Sequence, residues 1–297
     1  MKPIRKAVIP AAGFGTRFLP ATKSLPKEML PIVDKPVIQY IVQEAVASGI
    51  EEFVLITGSN KRAIEDDFDY NFELEYQLQS AGREDLFDMV RAISDMAKFI
   101  YVRQKEQLGN GHAVLCARTV IAPDEPFVVL WGDDFIDAKP PRVQQLVDTH
   151  NRHKASVLSV IRTSNPEDTL RYGFVDGDEV EPGLFKVNRI VEKPGPEHAP
   201  SDIAVVSGFV LGPEIFQALD EVRPGAGGEI WLTDAVNHLL RTHDVYAKVI
   251  ENGRYYDCGN KLEYLKANID FGLRRPDLGP GLMSYLEQIV DAHRNKS

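Results

Sequence analysis

Short apolar runs punctuate the first half of the chain at regular intervals. Lys6–Pro10, Phe53–Thr57, Phe99–Arg103 and Phe127–Trp131 are rich in Val, Ile, Leu and Phe and read as strands. Apolar positions spaced at three and four residues predict helices over Val37–Ser48, Lys61–Asp67, Arg83–Met96 and Gly111–Val120. Strands that are apolar throughout, separated by amphipathic helices, predict a parallel sheet covered on both faces. Ser48-Gly49 supplies a glycine stop for the first helix.

The second half is richer in strands. Ser156–Ile161, Gly173–Val175, Phe185–Val191 and Ile203–Leu211 read as strands. Helices are expected near Pro213–Leu219, Ile230–Arg241, Asn260–Gly272 and Gly281–His293. The sum is an α/β fold with a Rossmann-like, mixed but mostly parallel sheet flanked by helices. No internal repeat or low-complexity linker divides the chain, so residues 1–297 are expected to form a single domain. The segment 273–297 is expected to be a C-terminal helix that packs on the core or on another subunit.

Composition narrows the function. A net charge of −10 with no dense basic stretch argues against nucleic acid as a partner, and makes any phosphate site a local basic pocket. Two distant cysteines, Cys116 and Cys258, argue against a disulfide scaffold or a cysteine-rich zinc site. No apolar run reaches spanning length and no signal peptide precedes the first strand, so no membrane association is expected and the cytoplasm is the expected compartment.

The candidate chemistry begins where the first strand ends. Ala11-Ala12-Gly13-Phe14-Gly15-Thr16-Arg17 is a glycine-bearing turn through which backbone N–H groups can approach a phosphate. Arg17 and Lys27 add a guanidinium fork and a mobile ammonium. The third glycine of the dinucleotide fingerprint is missing, and no Gly-Lys-Ser/Thr ending makes it a Walker loop. Pro20, Pro26 and Pro31 hold the following segment out of a helix.

Four further clusters stand at strand ends or just before helices. Gly132-Asp133-Asp134 follows a buried strand, where Asp133 is placed to hold Mg²⁺ or to form a solvated turn. Asp257, just before a helix, is a second metal ligand or an N-terminal cap. Gln104 can read a nucleobase edge, and Gly109 and Gly111 permit close backbone approach. His112 is a base or a bonded helix-start residue. Glu192 and Lys193 are sugar and phosphate ligands or a surface ion pair. Gly173 and Gly208 interrupt strands, admitting a ligand or marking bulges. No hydrolase elbow or His-Glu-x-x-His zinc motif is present. An ionised phosphate nucleophile needs neither, only alignment and neutralised charge.

These pieces in this order resemble the sugar-phosphate nucleotidyltransferases. The resemblance is carried by Pro10–Lys23, Pro26–Pro31, Gly109–Val114, Gly132–Asp134, Tyr172–Phe174, Glu192–Pro194 and Asp257–Lys261, and runs from about Lys6 to about Gly272. The Ala-Ala-Gly-Phe-Gly-Thr-Arg loop resembles the uridylyl branch, not the Gly-Gly-x-Gly-Thr-Arg loop of thymidylyl relatives. The resemblance implies Mg²⁺-dependent transfer of uridylyl from UTP to glucose 1-phosphate, giving UDP-glucose and pyrophosphate. It implies that Ala11, Ala12, Gly13, Gly15, Gln104 and Gly109 hold the nucleotide, and that Arg17, Lys27 and Lys193 carry the catalytic charge. Gly173, Glu192, Lys193 and Gly208 would bind the sugar phosphate, and Asp133 with Asp257 the Mg²⁺. A homodimer or homotetramer is also implied. Asn110 stands where the family pattern has Leu. Another nucleotide or hexose phosphate is the alternative within the family. A non-catalytic regulatory paralogue is the alternative outside catalysis, and the retained Arg17, Lys27, Asp133 and Lys193 speak against it.

Overall fold

The apolar runs of the first half become neighbouring parallel strands because both faces of each are buried. In chain order, β1 (Lys6–Pro10) leads through three 3₁₀ turns to a small hairpin, β2 (Pro31–Ile32) and β3 (Lys35–Pro36). Then follow α1 (Val37–Val46), β4 (Glu52–Thr57), α2 (Arg62–Phe68), α3 (Phe72–Ser80), α4 (Glu84–Ser94), β5 (Lys98–Arg103), α5 (Asn110–Cys116) and β6 (Phe127–Val129). The computed structural model describes residues 2–295.

The second half contains β7 (Asp134–Ala138), α6 (Arg142–His153), β8 (Ser156–Arg162), β9 (Gly173–Glu181), β10 (Leu184–Glu192) and β11 (Ile203–Leu211). After these come α7 (Ile215–Glu221), α8 (Leu232–Leu239), β12 (Val245–Val249), β13 (Gly253–Asp257), α9 (Lys261–Arg274) and α10 (Gly279–Arg294). Nine strands form one sheet in the order β5-β4-β1-β6-β11-β8-β12-β10-β9. Strands β5, β4, β1 and β6 are parallel. Only β10 and β11 run against the rest, so the expected mixed, mostly parallel sheet is present. The first two residues of β9 pair with β11 as well as with β10, which curls that edge.

Alternation along each strand divides the core. Val8, Val54, Ile56, Val129 and Phe209 face α5, α7 and α8 on one side. Ala7, Ile9, Phe53, Leu55 and Val128 face α1, α2 and α6 on the other. Fully burying one such large side chain contributes about 1.5–3 kcal/mol.

The sequence pattern misses α3, α6, β7, β12 and β13. Helix α6, Arg-Val-Gln-Gln-Leu-Val-Asp-Thr-His-Asn-Arg-His, is largely polar. It is anchored by an ion pair: fully buried Arg142 binds Glu44 of α1 through Nε at 3.1 Å and Nη2 at 2.9 Å. The C-terminal helix forms as expected, but most of it is exposed, including Tyr285 and Val290. Lys296 and Ser297, part of the expected C-terminal segment, lie outside the described residues.

Candidate active site

The ends of β1 and β6, the curled ends of β9–β11, and the loops before α5 and α8 surround an open cleft of ≈ 420 Å³. Ala12, Gly13, Arg17 and Lys27 line its phosphate-loop wall. The loop is tied in place at two points. Thr22 Oγ1 donates to Gly15 O at 2.7 Å, and Gln107 Nε2 donates to Ala12 O at 2.8 Å. Lys27 Nζ crosses to Asp133 Oδ2 at 2.6 Å. Burial works against both charges, but each holds the other ionised. The Lys27 ammonium, helped by Glu28, is shifted up, and the Asp133 carboxyl is shifted down. Beneath this pair Glu28 and Lys61 form a buried ion pair at 2.8 Å.

Antiparallel pairing of β7 with β13 brings the acids together, setting Asp134 directly opposite Asp257. Asp133, just before β7, and Asp257 then flank Gly259. A Cβ on Gly259 would lie 2.5 Å from Asp133 Oδ2, 3.0 Å from Asp257 Oδ1 and 3.3 Å from Arg17 Nη2. The two carboxylate oxygens are therefore at most 5.5 Å apart, with a guanidinium beside them. Asp257 is oriented by Arg171, by the Tyr172 hydroxyl at 3.0 Å and by the Gly259 N–H at 3.0 Å. It does not cap α9; Asn260 Oδ1 does, accepting from Leu262 and Glu263 N–H. Asp134 is a different carboxylate. Burial, opposed by Arg142 and reinforced by Asp133 and Asp257, pushes it up to about 7.

Opposite the phosphate loop, Gln104 Nε2 donates to Gly109 O at 3.2 Å and meets His112 Nδ1 at 2.9 Å. His112 is thus a bonded helix-start residue, not a free base. Gly109 adopts φ +98°, and a Cβ there would lie 2.6 Å from Ile230 O. Only glycine combines that conformation with that approach. The loop is stitched to its neighbour by Ile230 N–H to Leu108 O at 2.7 Å and Gly111 N–H to Ile230 O at 2.9 Å. Asn110 Oδ1 accepts from Leu232 N–H at 2.9 Å, so the departure from Leu helps fix the start of α8 at the cleft wall.

Beside Tyr172, Gly173 leaves room for Glu192, whose Oε2 would lie 3.1 Å from a Cβ there. Glu192 Oε2 accepts from Thr233 Oγ1 at 3.2 Å, and burial raises its pKa despite Lys193. Lys193 lies in the left-handed region at φ +46°, a strained state for lysine of the kind that collects at ligand sites. Its Nζ sits 4.4 Å from the centre of the Trp231 ring.

Most predicted residues thus converge on one cleft, with three exceptions. Ala11 is buried, its N–H bonded to Ile56 O, and packs in the core. Gly15 shapes the turn at φ +66° without lining the cleft. Gly208 faces away: a Cβ there would meet Arg142 Cδ and Ser159 Cβ at 3.1 Å, so its missing side chain makes room for Arg142. Residues that sequence reasoning passes over are Arg171, Gln107, Trp231, Thr233 and Gly259. The proximity of Gly259 to Asp257 is the one available signal.

Residues 6–272 match the nucleotidyl transferase family. The UTP–glucose-1-phosphate uridylyltransferase YngB of Bacillus subtilis (strain 168) is 49% identical over 289 residues, 97% of this chain and 96% of the relative. A second UTP–glucose-1-phosphate uridylyltransferase of that strain is 47% identical over 98% and 99% of the two chains. Among solved structures, a UTP-bound UGPase from Acinetobacter baumannii superposes with TM-score 0.86 at 40% identity, covering 97% of this chain and 99% of the other. A UDP-glucose pyrophosphorylase complexed with UDP-glucose superposes with TM-score 0.82 at 39% identity, covering 92% and 100%.

Proposed function

Because this chain belongs to the nucleotidyl transferase family, we propose that its cleft transfers the uridylyl group of UTP to glucose 1-phosphate, forming UDP-glucose and releasing pyrophosphate. The observation that carries this is the gathering of Asp133, Asp257, Arg17 and Lys27 at one point of a cleft that Glu192 and Lys193 also line. Relatives named for this activity match nearly the whole chain.

Ala12, Gly13 and Gly109 present backbone to the nucleotide. With both N–H groups of Gln104 turned to Gly109 and His112, its amide offers the base an acceptor oxygen. Uracil has a donor at N3, whereas cytosine has none there, so this arrangement favours uracil. Glu192 accepts from sugar hydroxyls and Lys193 meets the sugar phosphate. A phosphate oxygen of glucose 1-phosphate attacks the α-phosphorus of UTP, the bond to the β-phosphate oxygen breaks, and pyrophosphate leaves. Arg17 and Lys27 neutralise the charge building on that leaving group.

The Asp133–Asp257 pair also fits Mg²⁺. Gly259 leaves a cradle between the two acids, and among the described residues no third His, Cys, Asp or Glu joins them. Two carboxylates, water and substrate phosphates suit Mg²⁺, which is seldom caged by protein alone. When bound, it supplies further charge neutralisation at the phosphates. Asp133 and Asp257 would hold it, with the Lys27 ammonium beside Asp133 facing the same phosphates.

The test follows pyrophosphate release with UTP, dTTP and CTP against several sugar 1-phosphates, with and without Mg²⁺. UTP with glucose 1-phosphate is expected to be the fastest pair. No Mg²⁺-dependent turnover with any pair overturns the proposal. Residues 1–297 act in this reading as one nucleotidyltransferase domain, and exposed Tyr285 and Val290 of the C-terminal helix form a homodimer or homotetramer contact. Light scattering reads that mass directly, and a monomer at micromolar concentration refutes it. No described helix is long and apolar enough to cross a membrane. The expected compartment is the cytoplasm, checked by fractionation.

A further inference from the structure

Strand β10 ends in Glu192 and runs on into Lys193, the two residues assigned to the sugar phosphate. One of its edges is covered by β9 along the whole strand, down to the pairing of Glu192 with Gly173. The other edge is covered by β12 only from Leu184 to Lys186. Beyond Lys186, among the described residues, no strand continues the ladder on that side at the end of β10 that matters for the site.

A side chain fills the gap. Asn237 of α8 accepts from Ile190 N–H through Oδ1 at 2.7 Å and donates to Ile190 O through Nδ2 at 2.7 Å. A carboxamide has the donor and acceptor of a peptide group, so Asn237 substitutes for a strand residue. Four residues earlier on the same helix, Thr233 holds the Glu192 carboxylate. Just before the helix, the Trp231 ring lies under the Lys193 ammonium. Asn110 fixes the start of α8 from the nucleotide side of the cleft.

We propose that Asn237 is a positioning residue for the sugar-phosphate half of the site. It clamps the backbone of β10 so that Glu192 and Lys193 meet the sugar phosphate in one fixed geometry. Asn237 itself touches no substrate. The inference rests on the proposed uridylyltransferase activity for its kinetic consequence, but not for its structural one.

The test compares wild type with Asn237→Ala. The KM for glucose 1-phosphate is expected to rise about tenfold or more, as loss of buried hydrogen-bond partners predicts, with the KM for UTP unchanged. Asn237→Asp keeps an acceptor for Ile190 N–H but loses the donor, and is expected to fall between the two. It also serves if the alanine variant folds poorly. Thr233→Val is expected to shift the same KM, and the double variant to cost less than the product of the singles, because both act through β10. Amide exchange over residues 187–193 is expected to quicken in Asn237→Ala. An unchanged KM for glucose 1-phosphate, or equal rises for both substrates, overturns the proposal. So does unchanged exchange, which decides the clamp even if wild type proves inactive. Wild-type inactivity itself counts against the activity alone.

Discussion

A single methyl group at Gly259 is the sharpest test of how the acids work. The Cβ of Gly259→Ala would lie 2.5 Å from Asp133 Oδ2, against an ordinary contact of at least 3.4 Å, so that carboxylate must retreat by about 0.9 Å. Asp257 Oδ1 and Arg17 Nη2, at 3.0 and 3.3 Å, are crowded by the same methyl. Misplacing a charged group at a reacting centre by about 1 Å costs on the order of 10²-fold in rate, or about 2.7 kcal/mol of barrier. The backbone tolerates alanine, because φ of Gly259 is not in the left-handed region, and the methyl meets side-chain ends whose displacement strains the Asp133–Lys27 and Asp257–Arg171 contacts but not the backbone. The melting temperature should therefore stay within a few degrees while kcat falls about a hundredfold and the Mg²⁺ concentration for half-maximal rate rises. Initial rates of pyrophosphate release across a Mg²⁺ titration, run beside a thermal melt, read all three. A kcat within about threefold of wild type would refute the idea that Asp133 and Asp257 act through the space between them.

The remaining predictions concern charges around that space. Asp133→Asn and Arg17→Ala should each lower kcat by on the order of 10²–10³, as removal of one charge-stabilising group does, and unchanged rates would remove them from the mechanism. Lys61→Met leaves buried Glu28 without its partner and should cost about 3–5 kcal/mol in urea unfolding. A loss below about 1 kcal/mol would show that Glu28 finds another partner. Asp134, raised by burial from 3.8 to about 7, holds a proton in the fold that the unfolded chain has released. Its contribution to stability is therefore complete below about pH 4 and is lost as pH rises through 7. Asp134→Asn should remove that loss, so the change in melting temperature from pH 5 to pH 8 becomes less negative than in wild type. An identical pH profile would place the titration elsewhere.

The parts of this fold legible in the sequence are those whose burial is local and apolar. Strands β1 and β11 are legible at their true limits because every position from Lys6 to Ile9 and from Ile203 to Leu211 is buried. Strands β7 and β13 are not, because Asp-Phe-Ile-Asp-Ala and Gly-Arg-Tyr-Tyr-Asp carry their acids at the very positions a strand pattern would fill with Val or Ile. What makes them strands is their mutual pairing across more than a hundred residues, which no local window contains. Helix α6 is hidden for a related reason: its first residue is a buried arginine whose partner, Glu44, lies in α1. In the site, residue types with an obvious phosphate or metal role can be found from sequence. Those that act by holding another side chain, such as Arg171 on Asp257 or Thr233 on Glu192, cannot. Of the two readings the sequence leaves for Gly208, the bulge is the one seen: the β11–β8 register shifts between Val205 and Phe209, and the missing side chain makes room for Arg142.

The pairing of β7 with β13 also sets when the protein can first become active. During synthesis, the phosphate loop and Asp133 emerge more than a hundred residues before Asp257 and Gly259. In the proposed reading, a chain ending before Gly253 keeps Arg17, Lys27 and Asp133 but lacks Asp257, so the proposed centre is incomplete. In that reading, catalytic competence arrives only after this long-range strand pairing closes. During refolding, turnover should lag behind the return of helical signal, with the delay reporting formation of that last small sheet.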